Sequence, residues 1–176
     1  MDRRDFLLNC IRGTAKIALL LIPFAILEYL TSYNRIRKAA LKSGKPNPYK
    51  NTEQGLKLDY WNDSTYSIKI YTQNDNQRDK IFSALRRLKE DPHFCYEKFL
   101  DKVNEIRVSA HPYKEKAATM WVSAYLNDTI YVDPTFFNES DEVFSCGLLH
   151  EYKHLEGYGE VIAHLDSIMC TIRNLF

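Results

Sequence analysis

Apolar and polar positions along the chain follow two rhythms, one of period two and one of helical period. Ser67-Ile68-Lys69-Ile70-Tyr71-Thr72 alternates at each step and predicts a short strand. Asn74 or Asp75 can cap a helix that carries Ile81, Leu85 and Leu88 on one stripe and runs to about Lys89. A second helical stretch follows Pro92 through Phe94, Phe99 and Val103, and residues 105–110 read as another strand. Residues 120–132 are rich in β-formers and broken by Asn127-Asp128, so two strands, 121–126 and 129–132, are expected around a tight turn. Asn138-Glu139-Ser140 is a good N-cap region with Asp141 and Glu142 in the first turn of the helix it opens. Val143, Phe144, Leu148 and Leu149 are the expected apolar back of that helix. Val161, Leu165, Ile168, Met169, Ile172 and Leu175/Phe176 then form a stripe that predicts a packed C-terminal helix. Strands and helices mix without a regular βαβ rhythm. The expectation is an α+β domain: a short mixed or antiparallel sheet, an active-site helix and a helix after it.

The start of the chain follows a different pattern. Arg3-Arg4-Asp5-Phe6-Leu7 precedes an apolar run from 17 to 27, bounded by Lys16 and Glu28 and interrupted by Pro23. A basic start before an apolar stretch is the layout of a secretory signal, whereas a permanent span needs roughly 17–25 apolar residues. The arginine pair with Phe-Leu resembles the twin-arginine (Tat) export signal over the first thirty or so residues. That resemblance implies passage of a folded protein through the Tat machinery to the periplasm. No Ala-x-Ala cleavage site follows, so residues 1–33 are read as a signal sequence or an inner-membrane anchor acting through residues 15–30. The alternative is an N-terminal helix packed on the domain. Residues 34–60, polar and basic around Lys42-Ser43-Gly44-Lys45-Pro46-Asn47-Pro48, read as a linker or an irregular lead-in. The remaining span, 61–176, is the expected domain.

Composition narrows the classes. The 24 Lys+Arg nearly balance 23 Asp+Glu, giving a net charge of +1, so the electrostatic footprint of a nucleic-acid binder is missing. Six Gly and six Pro in 176 residues exclude a collagenous or low-complexity chain.

The candidate chemistry lies in Leu148-Leu149-His150-Glu151-Tyr152-Lys153-His154. Two histidines at i and i+4 share one helix face and can reach a single ion, and Glu151 is near enough to take a proton from a metal-bound water. This HExxH string resembles the zincin superfamily of zinc metallopeptidases. A catalytic zinc takes three protein ligands and keeps one position open. The chain continues to HExxHxxGxxE, in which Gly157 sits where a helix can end in the left-handed conformation and turn residue 160 back toward the metal. The spacing resembles the metzincins, with Glu160 where they mostly place a His. Glu160-Val161-Ile162-Ala163 also resembles the ExxA of gluzincins. The helical stripe through Met169 speaks against a metzincin methionine turn, and His164 departs from the acidic residue many gluzincins carry there. Both resemblances choose Glu160 as third ligand; the rival carboxylate, Glu156, faces away from the histidines while helix persists.

The expected activity is zinc-dependent hydrolysis of peptide bonds in the cell envelope, with His150, His154 and Glu160 holding Zn2+ and Glu151 activating the zinc-bound water. Tyr152, Tyr158 and His164 are candidate oxyanion donors, His164 also a candidate fourth ligand, and Asp166 a candidate orienter of a ligand His. The strand 121–126 is the expected edge on which an extended peptide or protein substrate adds. A rival from another class is a non-catalytic zincin-like module recognising an envelope partner, for which Glu151 would be superfluous. Cys146 and Cys170 fall near one level if the last two helices form an antiparallel hairpin about Tyr158-Gly159. They are read as a disulfide suited to an oxidising compartment or as two small buried residues, with Cys146 as a ligand a further alternative.

Overall fold

The computed structural model describes residues 23–30, 32–44, 55–110, 120–122 and 128–173. The arginine pair, the centre of the expected linker and most of the strand expected over 121–126 lie outside these residues. A five-stranded mixed sheet runs in the order β1-β2-β3-β5-β4. β1 (Lys57–Asp63) and β2 (Tyr66–Thr72) form an antiparallel hairpin, and β3 (Glu105–Val108) pairs parallel with both β2 and β5 (Thr129–Val132). β4 (Met120–Val122) pairs antiparallel with β5 and forms the edge. The chain is thus α+β with both pairing modes in one sheet.

Alternation divides the sheet cleanly. Ile68, Ile70, Ile106 and Ile130 point to one side and are fully buried, while Tyr71, Arg107 and Tyr131 take the other, where Arg107 lies over the Tyr71 ring. The first side receives α2 (Asp75–Glu90) and α4 (Asp141–Glu156), with α3 (Tyr96–Lys102) adding Phe99 and Leu100. Asn74 caps α2 by accepting from the Gln77 N–H, and Ile81, Leu85 and Leu88 are buried as their stripe predicts. Phe94, Phe99 and Tyr152 make edge and tilted ring contacts where α3 meets α4. The domain core is therefore the floor under α4, the helix that carries the histidines.

Three expectations are corrected. The segment read as a linker holds α1 (Tyr33–Lys42) and the start of β1. β1 escaped notice because its exposed face carries the apolar Leu58 and Tyr60 while its half-buried face sets Asp59 and Asp63 around Trp61, so hydropathy does not alternate in step with burial. Val143 is not part of the apolar back of α4; seven residues before His150, it shares the histidine face and lines a cleft. The stripe of the last helix, α5 (Glu160–Arg173), is not packed: Leu165, Ile168 and Met169 are about half exposed. α5 instead meets α4 through Ala163 and Cys170, because the Glu160 and Cys170 contacts turn that opposite face inward. Met169 remains helical, so no methionine turn forms there.

Cys146 and Cys170 are joined as a disulfide between α4 and α5, which settles the alternatives for this pair and removes Cys146 from the candidate ligands. α4 ends at Gly157, whose φ of 102° is left-handed. The Gly157 N–H reaches the His154 carbonyl and the Tyr158 N–H that of Lys153, the paired bonds of a Schellman ending. Any side chain there must adopt a conformation that costs roughly 1–2 kcal/mol. A Cβ would also sit 2.1 Å from Asn34 Nδ2, although that exposed amide can move aside. Gly157→Ala is accordingly expected to lose about 1–2 kcal/mol in urea unfolding; an unchanged midpoint would contradict the left-handed ending.

Candidate metal centre

α4 is anchored before it reaches the site. Ser140 Oγ accepts from the Val143 N–H, and Asp141 and Glu142 in the first turn pair with Lys80 and Arg87 of α2. From that fixed start, His150 and His154 emerge one turn apart, with Nε2 atoms 3.2 Å from each other. The Schellman turn then redirects the chain, and Glu160, the first residue of α5, returns its carboxylate over the pair. Glu160 Oε2 lies 3.6 Å from His150 Nε2, and Oε1 lies 3.6 Å from His154 Nε2. One donor atom from each of the three residues falls within 4.8 Å of the others, and they are the one such metal-competent group among the described residues.

These donors fit zinc. Two ligands at about 2.0–2.1 Å in a tetrahedron are roughly 3.3 Å apart, close to the separations here. The tautomer also fits. The Tyr158 carbonyl, 3.1 Å away, accepts from His154 Nδ1–H, which leaves the Nε2 lone pair facing the convergence point. His150 has the Ala163 carbonyl as an acceptor. Ala163, fully buried, is small enough for α5 to lie close against α4.

Electrostatics follow from this crowding. The hydrogen bond from His150, helped by His154 and His164, holds the Glu160 carboxyl down at about 2, against the opposing effect of its own burial. Burial resists the charging of His150, but Glu160 and Glu151 outweigh it and raise that imidazole above its usual value. Burial dominates at His154, which is lowered. Glu151 is 7% exposed, and loss of solvent pushes it up to about 7 even though the Val122 N–H of the edge strand donates to it. Its Oε1 is 3.9 Å from His150 Nε2.

A cleft of about 300 Å³ opens on His150 and is lined by Met120, Phe136, Val143, Gly147, Glu151 and His164 among others. Gly147 lets this wall close, since a Cβ there would stand 3.2 Å from Met120 Sδ and the Phe136 ring. His164 is at the rim with a largely exposed side chain, 3.4 Å from Glu160 Oε2 and with its ring 4.6 Å from that of His150.

The other candidates are placed elsewhere. The Tyr158 ring lies against Lys153 Nζ and does not line the cleft; its backbone carbonyl is what reaches His154. Tyr152 is buried among Phe94 and Phe99, and burial together with its bond to Glu156 raises its pKa. Glu156 and Asp166 both pair with Lys153, so Asp166 does not orient a ligand histidine. Sequence reasoning missed the Tyr158 and Ala163 carbonyls, because a backbone acceptor has no residue type to signal it. Comparison with known proteins finds no matching family model, no matching curated protein and no matching solved structure.

Proposed function

We propose that this chain is a zinc-dependent peptidase of zincin type that hydrolyses peptide bonds of envelope peptides or proteins. The observation that carries this reading is the convergence of His150, His154 and Glu160 on one point, with buried Glu151 beside it. His150, His154 and Glu160 would hold the zinc, which would supply Lewis acidity toward the scissile carbonyl and toward water. Glu151, aimed by the Val122 N–H, is the general base: it takes the proton of the attacking water and delivers it to the leaving amine. His164 at the cleft rim donates to the oxyanion as it forms. The edge position of β4 beside the cleft supports binding of an extended peptide by strand addition.

The same reading puts the protein in the periplasm, free or held at the inner membrane. Arg3-Arg4-Asp5-Phe6-Leu7 supports Tat export, and the Cys146–Cys170 disulfide suits an oxidising compartment. Phe24, Ile26, Leu27 and Leu30 of the helical segment 23–30 are exposed and supply apolar surface for membrane association. No helix among the described residues is long and apolar enough to cross a membrane.

The test is metal content. Full-length wild-type protein is expected to carry about one zinc per chain, and Glu160→Ala to lose most of it after dialysis, since two ligands remain of the three a catalytic site uses. A wild type that stays free of zinc after reconstitution would remove the metallopeptidase reading. Zinc retained fully in Glu160→Ala would remove Glu160 as a ligand.

A further inference from the structure

α5 starts without a cap of its own. Its N-cap is Gly159, which has no side chain to accept from the first-turn amides. Glu28 supplies the acceptors instead, reaching across 131 positions of sequence. Its Oε1 accepts from the Gly159 N–H and its Oε2 from the Ile162 N–H at 3.1 Å. Ile162 is three residues beyond the cap, so one carboxylate takes both amides that a capping box satisfies with two side chains. A negative charge at this end also matches the helix dipole. The residues that follow Glu28 hold the other end of the turn: Ser32 Oγ donates to the Gly157 carbonyl at 3.1 Å, and the Asn34 amide lies against Gly157.

We infer that Glu28 is a positioning residue of the metal centre, acting through Glu160; this rests on the reading of His150, His154 and Glu160 as zinc ligands. The link between His154 and Glu160 contains two glycines on either side of Tyr158, and glycine leaves a backbone wide conformational freedom. Glu160 is the first residue of α5, so the direction of its carboxylate depends on where that helix begins. An uncapped helix frays from its end, and the ligand is the residue that frays first. Glu28 and Ser32 therefore fix the link from outside. The N-terminal segment is in consequence a working part of the domain. Cleavage of a leader beyond residue 28 would take the cap away.

The experiment measures zinc affinity of the full chain by competition with a chromophoric chelator, for wild type, Glu28→Ala and Glu28→Gln. Glu28→Ala is expected to bind zinc roughly 10- to 100-fold more weakly, the usual loss when a residue supporting a ligand is removed. Glu28→Gln, which keeps an acceptor oxygen, is expected to fall between the two. In the metal-free protein, the amides of Gly159 and Ile162 should exchange faster in Glu28→Ala than in wild type, a local effect that general destabilisation would not confine to that turn. Wild-type zinc binding with Glu28→Ala affinity within about twofold overturns the inference and leaves the metal centre standing. Wild type that binds no zinc overturns the metal centre and the inference together. Should Glu28→Ala not fold, by circular dichroism, Glu28→Gln decides: an affinity equal to that of wild type overturns the inference, and a weaker one supports it.

Discussion

Replacing Glu151 by Gln is expected to lower kcat/KM for peptide hydrolysis by about 10²- to 10⁴-fold, the range that a positioned general base supplies, while zinc stays bound. The substitution keeps size and shape and leaves His150, His154 and Glu160 themselves unchanged. The Val122 N–H retains an oxygen to donate to, so the cleft wall is preserved and only the capacity to accept a proton is lost. A second signature separates this from a folding defect. In the metal-free protein Glu151 is a buried carboxyl with a pKa raised from 4.5 to about 7. An acid raised in the folded state makes folding less favourable as pH climbs through the unfolded pKa, with the full penalty reached above the folded one. Metal-free Glu151→Gln should therefore be more stable than wild type at pH 8, by roughly 2–3 kcal/mol, and should lose that advantage by about pH 4. Peptidase activity unchanged in Glu151→Gln would dismiss Glu151 as the base, whatever the stability shows.

The other large effect is expected from the disulfide. Cys146 and Cys170 are 24 residues apart, and the loop they close contains His150, Glu151, His154, Glu160 and His164. For a loop of that length, constraint of the unfolded chain alone is worth about 3 kcal/mol. Cys146→Ser with Cys170→Ser should thus lower the melting temperature by about 10 °C. Cys146 stands one turn before His150, and Cys170 lies on the face of α5 that also carries Glu160 and Ala163. The bond consequently holds α4 and α5 against each other below the candidate metal centre. The double variant should also bind zinc more weakly, and added zinc should restore part of the lost melting temperature. The same loss is expected on treating wild type with a thiol reductant, whereas Cys95, exposed and unpaired with another cysteine, should tolerate Cys95→Ser without change. Equal melting of oxidised and reduced wild type would show that the cross-link does not carry this stability.

Much of the centre was legible before any coordinates because its parts are local. The histidine pair needs no more than helical spacing, and the helix announces itself through Ser140 at its start and Gly157 at its end. The return of Glu160 follows from a left-handed glycine and a short link. Ile68 and Ile70 share one face of the alternating strand and Ile81, Leu85 and Leu88 one stripe of the predicted helix, and all five are buried. Where the pattern misled, a tertiary contact outweighed it. The apolar stripe of α5 was expected to pack, yet Leu165, Ile168 and Met169 face outward, since the disulfide and the ligand contacts demand the opposite face. β1 went unread because its half-buried face carries Asp59 and Asp63 around Trp61 and its exposed face carries Leu58 and Tyr60, so the hydropathy pattern does not follow the burial.

The amino-acid sequence by itself determined the type of domain and pointed to His150, His154 and Glu160 as the candidate donors and to Glu151 as the candidate base beside them, since each depends on residue type and on spacing within a few turns. Tertiary structure alone decided that Glu151 is buried against Val122, that His154 is aimed by the Tyr158 carbonyl, and that Glu28 caps the helix of Glu160. The physical reason is the same in each case. A helix period or a glycine turn is written in neighbouring residues, whereas desolvation and hydrogen bonds between distant segments arise only once the chain has closed on itself, and they leave no periodic trace along it.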